Sequence, residues 1–246
     1  GLKRRSASLI EERSPALSFL KAIRWRWQDT GHVLVLISSL VMAFTRWRGI
    51  AWLRHAHHLL LVIYVGLVAG ELLSQALFSG WAQHGTPWRN APGLVLLGLF
   101  ALLAPVVTRR QLYCHHICPH GALQQLLMKR IPLQFAAPRW LERLPFILLG
   151  AVVLIVTAGL NVDLNALEPF DAYVWRVAGI ASLIIAVGGL VASLFVPMAY
   201  CKYGCPTGAL FKLLRSAGDH EQVGQREWLA LACIAAVGLW RWTHGA

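Results

Sequence analysis

Charge is scarce in this chain. Asp, Glu, Lys and Arg make up 14% of the 246 residues, against about 25% in a soluble domain. So little charge cannot cover a globule in water, which excludes an ordinary soluble enzyme and makes a bilayer the natural solvent. Acidic residues are scarcer still: 11 against 23 Lys and Arg, for a net charge of +12. In a soluble protein that excess would suggest nucleic acid. Here the bases sit between apolar runs, where they act as topology signals and contacts to anionic lipid, so no nucleic-acid partner is expected. Cysteine is sparse, with five residues, and the chain is neither small nor loop-rich, which excludes a disulfide scaffold. Residues 1–30 show no apolar core followed by a small-residue cleavage site, so no signal peptide is visible. From the Gly1 start we expect a further portion upstream.

What is present is a series of apolar runs: Thr30–Thr45, Leu59–Phe78, Ala91–Val107, Pro145–Leu160, Val177–Ala199 and Trp228–Trp240. A straight helix needs about 20 residues to cross the hydrocarbon, so the first and last need help from flanking tryptophans. The sequence predicts an all-α integral membrane protein of about six transmembrane helices, with residues 31–246 as the helical domain. Residues 1–30 form a basic N-terminal segment in which Ser14–Gln28 reads as an amphipathic surface helix. Loops 46–57, 108–144 and 199–227 hold thirteen Lys and Arg, and loops 80–92 and 161–176 hold two. This alternation predicts that the rich loops are cytoplasmic, in a bacterial inner membrane. Six spans then put both ends outside, although residues 1–30 carry seven Lys and Arg. Either a large translocated domain precedes them or the first segment does not span.

The chain repeats itself. Tyr113-Cys-His-His-Ile-Cys-Pro-His-Gly-Ala-Leu-Gln-Gln-Leu-Leu127 matches Tyr200-Cys-Lys-Tyr-Gly-Cys-Pro-Thr-Gly-Ala-Leu-Phe-Lys-Leu-Leu214 at nine of fifteen positions, offset by 87. C-x3-C puts two sulfurs on one turn of chain, near enough for one metal centre. Proline after the second cysteine suits the first turn of a helix, so Cys118 and Cys205 sit at helix N-termini that favour a thiolate. Gly121 and Gly208 permit close backbone approach. Two such half-sites, Cys114/Cys118 and Cys201/Cys205, supply four thiolates. That is the ligand set of iron–sulfur clusters, with 4Fe-4S favoured, and C-x3-C-P closes the bacterial ferredoxin run. Structural zinc, copper or redox thiol chemistry, and a purely structural role stay open on spacing alone.

These paired motifs resemble the membrane part of the NosR/NirI-type polyferredoxin-like family, which includes NapH-like and PceC-like members. Leu167-Glu-Pro-Phe170 and Gly70-Glu-Leu72 add weakly to the resemblance. It implies an inner-membrane electron-transfer protein of a respiratory reductase system, with Cys114, Cys118, Cys201 and Cys205 as cluster ligands. It also implies redox partner proteins, a cytoplasmic or quinol donor, and an FMN-bearing extracytoplasmic domain ahead of Gly1.

The other candidates are single residues. Glu71, inside the second apolar run, could carry a proton or touch a quinone headgroup. Glu168 and Asp171, in an outer loop, could dock a partner, though exposed carboxylates are usually only solvated. His55, His57, His58, His115, His116 and His120 cluster at helix ends and are read as interfacial. Stacked haems would need histidines at two depths. Cys-His-His-Ile-Cys-Pro-His could bind copper for delivery, but its twin lacks every one of those histidines. Copper delivery predicts sensitivity to His115, His116 and His120, and electron transfer predicts sensitivity to the four cysteines. Cys233 reads as a packed or lipid-facing thiol.

Overall fold

The computed structural model is helical, with no strand among the residues it describes: 23–128, 135, 137–160, 162–174 and 178–217. The run Trp228–Trp240 and Cys233 lie outside them. Helix α1 spans Trp27–Phe44. Helix α2 starts at Ala51, runs as an α-helix to Leu60 and continues as a π-helix over Leu61–Ala69. Short α3 covers Gln75–His84, and α4 covers Pro92–Thr108. Helix α5 is Leu112–His116 and α6 is Pro119–Leu127. A 3-10 turn, Arg139–Arg143, leads into α7, Leu144–Ala158. Helix α8 is Ile180–Phe195, α9 is Ala199–Tyr203 and α10 is Pro206–Ala217.

Two expectations change here. The run Leu59–Phe78 is not one helix: Gly70 takes the left-handed φ of 63° and ends α2, as glycine does at little cost. Glu71 therefore lies in the link after the helix, not inside a span. The amphipathic helix over Ser14–Gln28 does not reach its predicted end. Residues 23–26 have no regular secondary structure, and α1 begins at Trp27 behind an extended Arg26. The rest of that segment lies outside the described residues.

Among the described residues, two helices are long and apolar enough to cross a membrane, Ala51–Ala69 and Arg139–Ala158. Pro92–Thr108 and Ile180–Phe195 are apolar but shorter. The core helix of a soluble protein is mostly buried, whereas only 28% and 17% of the two long apolar windows is buried. Leu34, Ile63, Leu67, Leu103, Ile147, Ile180 and Ile184 all stand exposed. Apolar exposure on this scale marks an interaction surface.

The bundle closes at small residues. A Cβ on Gly93 would lie 2.6 Å from Asp29 Cα, so α1 and α4 touch backbone to backbone there. Asp29 turns that contact into a joint: its Oδ1 accepts the Gly93 N–H at 3.0 Å, while Oδ2 accepts the Arg26 N–H at 2.7 Å. Arg26 also donates to both oxygens of Glu71, at 2.8 and 3.1 Å. Aromatic rings fill the centre. Phe211 of α10 packs on Tyr113 and Phe78, and Phe78 packs on Trp81, with centroids 5.1, 6.4 and 5.8 Å apart.

Candidate metal centre

Each C-x3-C-P motif ends a chain reversal. After α4, the short α5 carries Cys114, and its His116 carbonyl accepts from Ser39 Oγ at 2.7 Å and pairs with His57 Nε2 at 3.0 Å. Pro119 then packs beside Gly66, further along α2, so the motif climbs into the bundle before α6 turns back. After α8, the chain reverses through Met198, left-handed at φ 54°, into α9 with Cys201. Helix α10 then returns along α4 and α7. The motifs are therefore not surface loops. Cys114, Cys118 and Cys205 are 6%, 5% and 5% exposed, and Cys201 is partly exposed.

All four thiols are free. Each lies within electrostatic reach of the other three, across and within the two copies. Burial pushes the Cys118 thiol up to about 11 and the other three well above the ordinary range. Thiolates would be costly here without a cation to offset them. Two features favour the thiolate all the same. Cys118 is the N-cap of α6, with Pro119 in its first turn, and the nearby backbone N–H groups of Gly121 and His120 pull its thiol down against burial. Cys205 sits the same way before α10 and accepts the Gly208 N–H at 3.2 Å. Both helix N-termini thus direct partial positive charge at the sulfurs.

The glycines show how tight the fit is. A Cβ on Gly121 would collide with the Cys114 carbonyl oxygen. On Gly208 it would lie 3.1 Å from the Cys201 carbonyl oxygen and 3.6 Å from Cys205 Sγ. The donor set suits a polynuclear iron–sulfur group: four soft sulfurs, N–H donors, and no charged side chain hydrogen-bonded to them among the described residues. Among the described residues no three His, Cys, Asp or Glu close around a point as a single ion needs. A cluster does not need that, because each thiolate takes a different iron.

Two side chains of the site, Gln124 and Tyr173, escape sequence reasoning, and a third, Glu168, is placed differently by the structure. Gln124, fully buried on α6, donates Nε2 to Cys201 Sγ at 3.1 Å. Its Oε1 accepts from Ser193 Oγ at 2.8 Å and from the Tyr200 N–H at 3.2 Å. Its repeat counterpart is Phe211, and a polar residue matched to an aromatic one at equivalent places in the repeat was the available signal. Glu168, expected on an exposed loop, is 1% exposed. Its carboxyl bonds Thr207 Oγ1 at 2.6 Å and accepts the Gln75 N–H at 2.8 Å. Burial holds it up to about 7, while both hydrogen bonds pull it back down. Tyr173, five residues on, bonds His120 Nδ1 at 3.0 Å. Thr207 and His120 follow the proline of their respective motifs, so one segment, Glu168–Tyr173, straps both half-sites. The expectation of a solvated Glu168 is thereby corrected; Asp171 stays half-buried.

Among the remaining candidates, Glu71 is paired with Arg26 and lies 3.8 Å from His32 Nδ1. His120 packs edge-on against Tyr173 and Tyr200. His57 is tied to the His116 carbonyl, and His55 to that of Ala51.

The described residues form a helical protein that brings the four cysteines of two repeated motifs within electrostatic reach of one another. A family profile described as a 4Fe-4S binding domain matches residues 90–142 and 178–222, which bracket the two motifs. The chain is 26% identical over 226 residues to YccM of Escherichia coli, whose name assigns it provisionally to electron transport; the match covers 78% of this chain and 63% of that one. It is 34% identical over 155 residues to the regulatory protein NosR of Pseudomonas aeruginosa, covering 54% of this chain and 20% of that one. NosR of Stutzerimonas stutzeri is 27% identical over 186 residues, covering 64% and 24%. No solved structure matches. The chain is thus similar to NosR-like and YccM-like proteins and carries a region that matches a 4Fe-4S binding domain. The chain spans less than two thirds of the length of these relatives.

Proposed function

We propose that Cys114, Cys118, Cys201 and Cys205 ligate one 4Fe-4S cluster shared between the two motifs. The observation that carries this reading is that four free thiols, three of them buried, come within electrostatic reach of one another, with Cys118 and Cys205 at the N-termini of α6 and α10. Such a cluster supplies a one-electron couple. The chain holds the sulfurs apart, excludes water, and offers N–H groups that lower the cost of negative charge.

The exposed apolar girdle supports a multi-pass protein of the bacterial inner membrane, with lipid as its first partner and the basic ends of its helices cytoplasmic. In that setting electrons pass between a cytoplasmic or quinol donor and an extracytoplasmic reductase or flavin partner of a respiratory system. The bilayer core is about 30 Å thick, so a second carrier must complete the path. An FMN domain ahead of Gly1 would serve. Glu71, at the opposite end of α2 from His57, is our candidate for proton or quinone contact. Its ion pair with Arg26 would have to open for that role.

The test is anaerobic purification in detergent, with iron and acid-labile sulfide counted beside EPR spectra. Wild type is expected to hold both, and Cys114→Ser and Cys201→Ser are each expected to lose them. Loss in neither variant, or copper or zinc in place of iron, overturns the reading.

A further inference from the structure

Three tyrosines lie near the cysteines, and their hydroxyls are used differently. Tyr113 is within electrostatic reach of Cys118, Cys114 and Cys205, and Tyr173 of Cys118 and Cys201. Tyr200 is within reach of Cys205, Cys201 and Cys118. Tyr113 Oη accepts the Leu73 N–H at 3.1 Å and donates to the Leu73 carbonyl at 3.5 Å. Tyr173 Oη pairs with His120 Nδ1 at 3.0 Å. The Tyr200 hydroxyl is buried and has no hydrogen-bond partner among the described residues. Glu168 is also within its reach, but those carboxyl oxygens go to Thr207 and the Gln75 N–H. An unbonded buried hydroxyl is costly, and native interiors rarely keep one without a use.

Tyr113 and Tyr200 hold the same place in the repeat, so the difference has a local cause. The Tyr200 ring lies over Gly204, where a Cβ would be 3.0 Å from its Cδ2. A side chain as large as Ile117, the counterpart of Gly204 in the first motif, would displace the ring. From α8, a Cβ on Gly189 would be 2.9 Å from Tyr200 Cβ. His120 stands edge-on to the ring, with centroids 5.1 Å apart. The ring is clamped on three sides, which fixes its hydroxyl near the sulfurs.

We propose that Tyr200 donates its O–H to a sulfur of the cluster and thereby raises the reduction potential. This rests on the shared cluster proposed above. Reduction by one electron adds negative charge to the sulfurs, and a donor stabilises the more negative state more. The proton stays on the phenol oxygen in both states, so none accompanies the electron. Gln124 acts on one protein sulfur, Cys201 Sγ; Tyr200 is the side chain with a donor to spare.

The full chain is purified anaerobically in detergent as wild type, Tyr200→Phe and Tyr113→Phe. Iron, acid-labile sulfide and the midpoint potential are measured for each. Tyr200→Phe should keep its iron and show a lower midpoint. A rise of about tenfold in the ratio of oxidised to reduced cluster is expected, which for one electron is about 59 mV. Tyr113→Phe, whose hydroxyl is taken by Leu73, should shift the midpoint less. Reconstituted in heavy water, reduced wild type should show a deuterium coupling by pulsed ENDOR that Tyr200→Phe lacks. If Tyr200→Phe loses iron, 3-fluorotyrosine in place of Tyr200 keeps the ring and makes a stronger donor, and it should raise the midpoint. With the cluster present, an unchanged midpoint or a retained coupling in Tyr200→Phe overturns the proposal. So does an equal shift in Tyr113→Phe, or no rise with fluorotyrosine. Wild type without iron and sulfide overturns the cluster reading itself, and this proposal with it.

Discussion

Gly121 and Gly208 hold equivalent places in the two motifs but meet different walls. A methyl on Gly121 runs into the Cys114 carbonyl oxygen, which is backbone and cannot swing away. On Gly208 the nearest atom is 3.1 Å off, a tight contact that a small shift can relieve. Overpacking costs roughly 1–3 kcal/mol, occasionally more. Gly121→Ala should therefore abolish iron binding or halve the yield of folded protein, and Gly208→Ala should retain most of both; iron per chain in the two purified variants checks this. Gln124 makes a finer difference. Its N–H on Cys201 Sγ stabilises negative charge there, and hydrogen bonds to cluster sulfurs set reduction potential. Gln124→Leu should keep the iron but lower the midpoint potential, read by EPR-monitored titration. An unchanged potential would mean that Gln124 only ties α6 to α8 and α9. Some stability should also be lost, since the Tyr200 N–H loses its acceptor, at about 1–3 kcal/mol for an orphaned buried group, while Ser193 keeps the Gly189 carbonyl.

At the scale of elements, the segment Glu168–Tyr173 joins what the repeat keeps apart. It bonds Thr207 at the start of α10 and His120 at the start of α6, and Ser182 of α8 donates to the Glu168 carbonyl at 2.7 Å. The Glu168 carboxyl is raised by burial from 4.5 to about 7. An acid raised on folding binds its proton more tightly in the native state than in the unfolded one. Stability is then full below about 4.5 and declines as pH rises to about 7, beyond which the loss is constant. A tenfold difference in proton affinity is worth about 1.4 kcal/mol, so the loss is of order 3 kcal/mol. Wild type should show this downward slope of melting temperature between those pH values. Glu168→Gln, which has no proton to lose, should flatten it, and a slope unchanged in the variant would assign it to other groups. The same strap explains why α6 and α10 can be so short. Isolated helices of this length are marginal in water, and these are held at their N-termini by tertiary bonds.

At the scale of the whole molecule, the long helices of the described residues present apolar side chains outward while the buried polar groups gather inside. The arrangement fits a bilayer around the girdle and an interior that shelters the cysteines. The chain should stay with the membrane fraction after an alkaline carbonate wash, and release into the supernatant would count against embedding. Single cysteines placed in a variant lacking native thiols at Thr86 and at His55 should label from opposite sides with an impermeant reagent. Labelling from one side would refute the alternation of basic loops as a guide to topology.

The helical class, the existence of the repeat and the pairing of its cysteines were legible in the sequence, because each is a matter of local pattern. Apolar runs must coil where water is absent, proline marks a helix start, and two copies of C-x3-C-P-x-G-A-L are visible without any fold. The family resemblance followed from the same residues. Tertiary structure alone decided where these parts go. That the motifs climb into the bundle depends on Gly66, Ser39 and His57, which lie far away in the chain. That Glu168 is buried depends on Thr207 and Gln75 coming to meet it; its neighbours Pro169 and Asp171 read as a loop. The break at Gly70, by contrast, was overlooked because glycine inside an apolar run is read as packing before it is read as a stop. Sequence determines which groups can bond, since that is chemistry carried by each residue. Which of them do bond over 39 or 93 positions of separation is decided by the packing of helices, whose energy is shared among many contacts and written at no single position.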